Sequence, residues 1–353
     1  MTITAKAWFL VEPKAPLVER ELPIPTPGPG EAVIEIWGNG LCHTDLGFAD
    51  GGVRPNHPLP LVLGHEAVGK VVEAGDAFLH LIGKTVVVPA VLPCGECALC
   101  KAGRGNACPK QKMPGNDIHG AFATHMLVPA RPLQVLPATG NVDVRMYSVV
   151  ADAVSTAWQA TRRAGVTEGD LCYVVGAGGV GGFTIQACAA LGAKVVALDV
   201  SDERLELMSK YGAAATLNTR GKDVKAVREE ASKLAKGFGI DPWKTRVFEC
   251  AGLPATQEIA FSLLGRGATM VQVGFTPERV TLRLSNLMAF DATVHGTWGC
   301  PPEQYPEVLK LIAEGKIALA PFCEVRPLRE VNAVLDDMRG HKLARRVTLD
   351  PRL

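Results

Sequence analysis

Leu171-Cys172-Tyr173-Val174-Val175-Gly176-Ala177-Gly178-Gly179-Val180-Gly181 is a short apolar run that empties into a glycine-rich turn. From Gly181 to about Leu191 the chain reads as a helix, and Lys194-Val195-Val196-Ala197-Leu198-Asp199 reads as a second strand closed by an acid. Strand, G-x-G-x-x-G, helix, strand and acid, in that order, are the parts of a βαβ unit built to hold a dinucleotide. Gly176 permits the tight turn, Gly178 lets the backbone approach a pyrophosphate, and Gly181 lets the helix lie close on the strand. Gly179 and Val180 complete the turn at the helix N-terminus, which faces the anion. Asp199 stands about 20 residues on, where a carboxylate takes the ribose hydroxyls. Its charge would repel a 2′-phosphate, so NAD is expected rather than NADP. A glycine-rich packing turn without a nucleotide is the plain alternative.

Outward from this unit the alternation continues. Helices are expected at Arg204–Tyr211 and Thr256–Leu264, and strands at Val247–Cys250, Thr269–Val273 and Thr293–His295. Buried-looking strands separated by helices imply a parallel, doubly wound sheet. The charged stretch Gly221–Trp243 is left unassigned. A helix from Met146 to Ala164 leads into this region. Beyond Pro301-Pro302, helices at Gln304–Glu314 and Leu328–Met338 and a strand at Val347–Leu349 finish the chain. Before residue 150 the grammar differs. Pro23, Pro25, Pro27 and Pro29 break short apolar runs, Glu31–Trp37 alternates as a half-buried strand, and strands follow at Ala67–Glu73 and Thr85–Pro89. This part is expected to be mostly β.

Two clusters there carry metal-type side chains. Gly40–Glu66 opens on Cys42-His43-Thr44-Asp45 and closes on Gly64-His65-Glu66, so a thiol, imidazoles and carboxylates share one short segment. Cys94, Cys97, Cys100 and Cys108 follow a C-x2-C-x2-C-x7-C spacing in a polar, glycine-containing loop. Four thiolates so close can close a tetrahedral zinc site that has no open position and is therefore structural. A disulfide pair or an iron–sulfur cluster are the alternatives. The remaining cysteines, Cys172, Cys188, Cys250, Cys300 and Cys323, are scattered and read mostly as small buried hydrophobes.

Composition bounds the rest. At 353 residues about two domains are expected. Basic and acidic residues number 37 and 36, which excludes the strong basic excess of a nucleic-acid binder. No secretory signal and no apolar run of membrane-spanning length is seen, so a soluble cytoplasmic protein is expected.

Taken together, Gly64-His65-Glu66-x-x-Gly69, Cys42-x-Thr44-Asp45, the four-cysteine lobe and the Gly176–Gly181 turn resemble the zinc-dependent medium-chain alcohol dehydrogenases over essentially the full length. The resemblance implies a GroES-like β-rich catalytic domain (1–150 and 296–353) interrupted by a Rossmann NAD-binding domain (151–295), with the active site in the cleft between them. It implies that Cys42 and His65 ligate a catalytic zinc, with Asp152 as third ligand where many members carry Cys; a helix N-cap is the plainer role for Asp152. Glu66 matches a second-sphere or transient fourth ligand, and Asp45 the carboxylate that orients His65, a salt bridge being the alternative for each. Thr44 matches the hydroxyl that accepts the alcohol proton. The usual relay His is replaced by Gly47, and His57 is a candidate proton exit only if it is more than a surface His. His43 matches a residue facing the cofactor phosphates. Arg204 joins the cofactor-binding set, and Arg346, in preference to Arg345, matches an Arg on the pyrophosphate. Two zinc ions per chain, NAD, and a homodimer or homotetramer pairing through Ala292–Gly299 are implied, with no nucleic-acid or membrane partner. The stretches Asp50–Leu61, Lys84–Ala90 and Gln111–Ile118 are similar to members that act on a CoA thioester, for whose phosphates Arg54, Lys110 and Lys112 are available. A dehydrogenase of simple aryl or aliphatic alcohols, a conjugate reductase and a non-catalytic NAD-binding relative are the competing expectations.

Overall fold

The computed structural model describes residues 3–353, which form two compact units. The first comprises the chain up to Ser155 with Gly299–Ala313 and Leu319–Leu353; the second comprises Thr156–Trp298 with Glu314–Ala318.

In the first unit, β1 (Ile3–Leu10) pairs antiparallel with β2 (Val18–Ile24). β3 (Glu31–Gly40) is the long central strand. β4 (Leu61–Val62) returns to β1, whereas β5 (Glu66–Ala74), β6 (Thr85–Val88), β7 (His125–Pro129) and β8 (Gln134–Val135) build outward from β3. Period-two alternation turns Ala32, Ile34 and Ile36 to one core with Val71, Val86, Val88 and Met126, while Val33 faces a second cluster with Ala5 and Ile24. Both faces are covered, so β3 is more buried than the half-buried strand its sequence suggests. A short helix, His43–Ala49, follows β3 in a region read as mostly β.

The second unit carries β9 (Leu171–Val175), β10 (Lys194–Asp199), β11 (Ala213–Asn218), β12 (Thr245–Glu249), β13 (Thr269–Gln272) and β14 (Thr293–Gly296). All pair in parallel, in the order β11-β10-β9-β12-β13-β14. That is the 3-2-1-4-5-6 order of a Rossmann sheet, whose strand order reverses between β9 and β12 and places the ligand crevice at their carboxyl ends. The chain then adds β15 (Cys323–Pro327) and β16 (Arg346–Asp350) to the first unit, giving its larger sheet the order β15-β16-β3-β5-β6-β8 with β7 also on β3.

One local expectation is corrected, and two stretches without an assignment gain one. The expected continuous helix from Met146 to Ala164 is a 3-10 segment, Val144–Ala151, and an α-helix, Ala153–Ala164, broken at Asp152 (φ −137°, ψ −67°). The Ala151 carbonyl explains the break, because it accepts from Ala90 N–H at 3.0 Å and Tyr305 Oη at 2.5 Å. β11 was not foreseen; its Ala213-Ala214-Ala215 start has low strand propensity and is held by pairing with β10. The unassigned stretch contains a helix, Val224–Lys236, whose N-terminus is capped by the Asp223 carboxylate accepting from Ala226 N–H at 2.7 Å. Among the described residues no helix is long and apolar enough to cross a membrane.

Candidate active site and metal centres

Cys42 caps the helix His43–Ala49, and the Asp45 carboxylate in that helix's first turn reaches back to it. Asp45 is fully buried. Its Oδ2 accepts from Cys42 N–H and its Oδ1 from Gly64 N–H, both at 3.0 Å, and Oδ1 lies 3.3 Å from His65 Nδ1. One carboxylate therefore fixes two candidate ligands, Cys42 and His65, that are 23 positions apart in sequence. Gly64 makes this turn possible: its φ is +93°, and a Cβ there would stand 2.9 Å from both Asn39 Nδ2 and Phe122 Cδ1.

The helix break at Asp152 brings that carboxylate to within 3.6 Å of His65 Nε2. Donor atoms of Cys42, His65, Glu66 and Asp152 all lie within 4.8 Å of one another. A divalent ion held at about 2.0–2.3 Å by nitrogen, oxygen and sulfur spaces its ligands by roughly 3–4 Å, so the set suits zinc. Within this set three buried atoms, both His65 ring nitrogens and Glu66 Oε2, have no hydrogen-bond partner, Asp45 Oδ1 being only a close ionic contact of Nδ1. Burial alone would lower the His65 pKa, but Asp45 and Asp152 raise it well above the usual imidazole range. A positive charge is thus favoured between the carboxylates, and a metal cation supplies one.

Glu66 is buried, and its Oε1 pairs with the Arg346 guanidinium, which also donates to Leu41 O at 3.4 Å. Burial pushes the Glu66 carboxyl up to about 7 against the downward pull of Arg346. Arg346, assigned from the sequence to the cofactor, thus stands beside the metal-type cluster, whereas Arg345 is exposed. Thr44 is half-buried with Oγ1 3.7 Å from Cys42 Sγ, and His43 is exposed next to it. Tyr305, which no sequence pattern singles out, also meets Ser155 Oγ through its hydroxyl at 3.1 Å and so braces the turn that presents Asp152.

In the four-cysteine lobe the sulfur atoms are 3.5 Å (Cys97–Cys100, Cys94–Cys108), 3.7 Å (Cys97–Cys108) and 4.0 Å (Cys94–Cys100) apart. Zinc–thiolate bonds of about 2.3 Å in a tetrahedron require sulfur separations of roughly 3.8 Å, so these edges fit. All four are free thiols. Backbone N–H groups of Glu96 and Cys97 lower the Cys94 thiol to about 6 and the backbone at Cys100 lowers Cys97, whereas burial and the neighbouring thiols push Cys100 up to about 12. Of the other five cysteines, Cys172, Cys188, Cys300 and Cys323 are buried and Cys250 is half-buried.

In the second unit, Gly176 has φ +92°, and a Cβ at Gly181 would fall 1.8 Å from Gly176 O. At Gly178 a Cβ would meet only Arg204 Nη1, at 3.7 Å, which leaves the backbone open to a ligand at the N-terminus of the helix Gly179–Ala190. Asp199 is held by Ala177 N–H at 2.7 Å and Ser201 N–H at 2.9 Å, with Arg204 at 3.9 Å. Glu249 ends β12 and accepts from Ala251 N–H, Gly252 N–H, Thr256 Oγ1 and Gln272 Nε2. It shapes the turn that packs on Gly176. The available signal was an acid at the end of an apolar strand before Ala-Gly.

Residues 28–138 match the alcohol dehydrogenase GroES-like domain, and residues 179–314 match the zinc-binding dehydrogenase family. An alcohol dehydrogenase of Rhizobium meliloti (strain 1021) is 32% identical over 354 residues, covering 99% of each chain. A cobalt- and zinc-bound thermostable alcohol dehydrogenase from Pyrobaculum aerophilum superposes with a TM-score of 0.85 at 28% identity, over 99% of this chain and 100% of that one. A protein from Sinorhizobium meliloti 1021 described as a zinc-binding dehydrogenase and bound to NADP does so with a TM-score of 0.85 at 26% identity, over 99% and 100%. With its GroES-like unit, its Rossmann unit and full-length relatives, the chain belongs to the zinc-binding medium-chain alcohol dehydrogenases, NAD(P)-dependent oxidoreductases acting on CH–OH groups.

Proposed function

We propose that this dehydrogenase is NAD-specific, holds two zinc ions, and oxidises 6-hydroxycyclohex-1-ene-1-carbonyl-CoA to the 6-oxo thioester in anaerobic benzoyl-CoA degradation. The observation that carries the chemistry is the meeting of Cys42, His65, Glu66 and Asp152 ligand atoms within 4.8 Å of one another, with His65 Nε2 and Glu66 Oε2 buried and without hydrogen-bond partners. The substrate rests on the resemblance of Asp50–Leu61, Lys84–Ala90 and Gln111–Ile118 to the enzyme of that reaction.

Cys42, His65 and Asp152 would hold a zinc whose Lewis acidity serves the alcohol oxygen, and the glycine turn would hold NAD as the hydride acceptor. Asp45 orients His65 and, through the Cys42 amide, the thiolate. Thr44 Oγ1, beside Cys42, receives the alcohol proton. Gly47 has no side chain to pass that proton on, so the route to solvent runs elsewhere. Arg346 keeps Glu66 paired at the edge of the ligand set. Gly176–Gly181 would cradle the pyrophosphate with His43 and Arg204 assisting, and Asp199 would take the ribose hydroxyls. The four-cysteine lobe holds the second, structural zinc. A homo-oligomer is expected through β14, which pairs with β13 alone and lies at the sheet edge.

A panel with NAD and NADP, containing the cyclic hydroxyenoyl-CoA, its free acid, benzyl alcohol and ethanol, tests the proposal, together with zinc analysis. Thioester turnover with NAD and two zinc ions per chain are expected. Benzyl alcohol or ethanol turning over as fast as the thioester would overturn the substrate, and one zinc or none would overturn the metal sites.

A further inference from the structure

Glu249 ends β12 where the strand order reverses, level with Val175 on β9 and Gln272 on β13. Its side chain is fully buried. Oε1 accepts from Ala251 N–H at 2.9 Å, Gly252 N–H at 2.8 Å and Thr256 Oγ1 at 2.8 Å, and Oε2 accepts from Gln272 Nε2 at 2.6 Å. The Glu249 carbonyl takes Val273 N–H and Gly274 N–H, both at 2.9 Å, and Gln272 Nε2 also donates to Gly274 O at 2.7 Å. One residue thus fixes the loop 250–253, the first turn of the helix Pro254–Ser262 and the loop that opens at Val273. The two loops are in backbone contact: a Cβ at Gly274 would stand 2.3 Å from Gly252 N, and one at Gly252 would stand 2.5 Å from Phe275 O. Ala251 lies against the glycine turn, its Cβ 2.8 Å from where a Gly176 Cβ would be. The four side-chain partners all donate, which suits an acceptor-only carboxylate and no neutral side chain of the same shape. Tying strands together needs no buried charge, since apolar packing does that at lower cost.

We infer that Glu249 is a positioning residue for the half of the dinucleotide that lies beyond the pyrophosphate. A Rossmann sheet has two mononucleotide-binding halves, and the ligand spans the crevice where they meet. The glycine turn and Asp199 belong to the half built on β9, β10 and β11, which takes the adenosine side. The reacting side is left to the carboxyl ends of β12 and β13, where both loops are held by Glu249. Glutamine at this position keeps one acceptor for Ala251, Gly252 and Thr256 but turns an NH2 toward Gln272 Nε2, donor against donor. If Gln272 flips to accept, its oxygen faces Gly274 O instead. Either way a tie to the loop at Val273 is lost, while β9, β10 and their glycine turn keep their own bonds. The inference rests on the glycine turn holding the dinucleotide and is independent of which alcohol is oxidised.

The test compares two ligands on the zinc-loaded full-length enzyme: NADH, which spans both halves, and AMP, which fills the adenosine half alone. In E249Q the Kd of NADH should rise about tenfold, the worth of one charge-assisted hydrogen bond, while that of AMP stays within about twofold. Q272A, which removes the same tie from the other side and leaves the carboxylate its three remaining donors, should weaken NADH about threefold with AMP again unchanged. Q272A alone decides the matter if E249Q does not fold. NADH affinity equal to that of the wild type would overturn the inference and reduce Glu249 to a cap for the helix Pro254–Ser262. Equal weakening of NADH and AMP would overturn it too, since that is a general loosening of the sheet. A wild type that binds NADPH in place of NADH would overturn only the NAD preference; the same comparison is then made between NADPH and 2′,5′-ADP.

Discussion

Replacing Asp45 by Asn tests how the site is held together. The carboxylate serves three groups at once: Cys42 N–H at 3.0 Å, Gly64 N–H at 3.0 Å and His65 Nδ1 at 3.3 Å. The amide keeps the shape but offers one acceptor oxygen, and its NH2 must face a donor. At least one charge-assisted bond is lost, at about 1.5–3 kcal/mol, in a place with no water to compensate. A partner that orients a metal-bound His affects metal affinity by roughly 10–100-fold, or about 1.4–2.8 kcal/mol. D45N should therefore lower the stability of the metal-free chain by about 2–3 kcal/mol and weaken one zinc equivalent by 10–100-fold, leaving the other unchanged. Urea denaturation followed by tryptophan fluorescence measures the first, and chelator competition the second. A variant with the wild-type midpoint and zinc affinity within about twofold would refute the account of Asp45 as the joint between Cys42 and His65.

Gly64→Ala forces a positive φ on a side chain and sets its Cβ 2.9 Å from Asn39 and Phe122. It should cost about 2–4 kcal/mol and shift His65, read as a lower melting temperature together with weakened zinc binding. Arg346→Gln strands the buried Glu66 carboxylate and should destabilise by about 3–5 kcal/mol. The Glu66 carboxyl is already raised to about 7 from an ordinary 4.5, so its contribution is fully present below pH 4.5 and is lost as pH rises through 7. The deficit of R346Q should accordingly be larger at pH 8 than at pH 5; melting curves giving the same deficit at both would disprove this. Cys94 titrates the other way. Lowered to about 6 from 9, it contributes stability that is present above pH 9 and is lost as pH falls through 6. Acid protonates these thiolates, so release of zinc from the four-cysteine lobe to a colorimetric chelator should grow as pH falls.

What the chain discloses about itself is what is encoded locally. The βαβ unit is readable because its strand, turn, helix and acid are consecutive, and each glycine answers a steric demand within a few residues. The cysteine lobe is readable for the same reason. Asp152 is only half readable. Its residue type suits a ligand, but the break that presents it comes from Tyr305, 154 positions beyond Ala151, which no periodicity in Met146–Ala164 could disclose. Arg346 and Glu66 are likewise joined across 280 positions. β11 was hidden because alanines do not announce a strand and the pairing with β10 supplies what propensity does not. Glu249 was visible as a residue but not as a role, since its four donors come from the following loop, the next helix and β13.

The lobe at 94–108 has one short helix, Ala98–Lys101, one 3-10 turn, Gly105–Ala107, and no strand. Its order is therefore conditional on its sulfur chemistry. If zinc ties the four thiolates, its loss should let the lobe open alone, well before the sheets. In a partly demetallated preparation the earliest proteolytic cut should fall inside it, and the two fragments would remain together through β3, β5 and their neighbours. If zinc ties the lobe, storage life should follow the opening of this one small loop rather than the thermodynamics of either core, and added zinc should lengthen it.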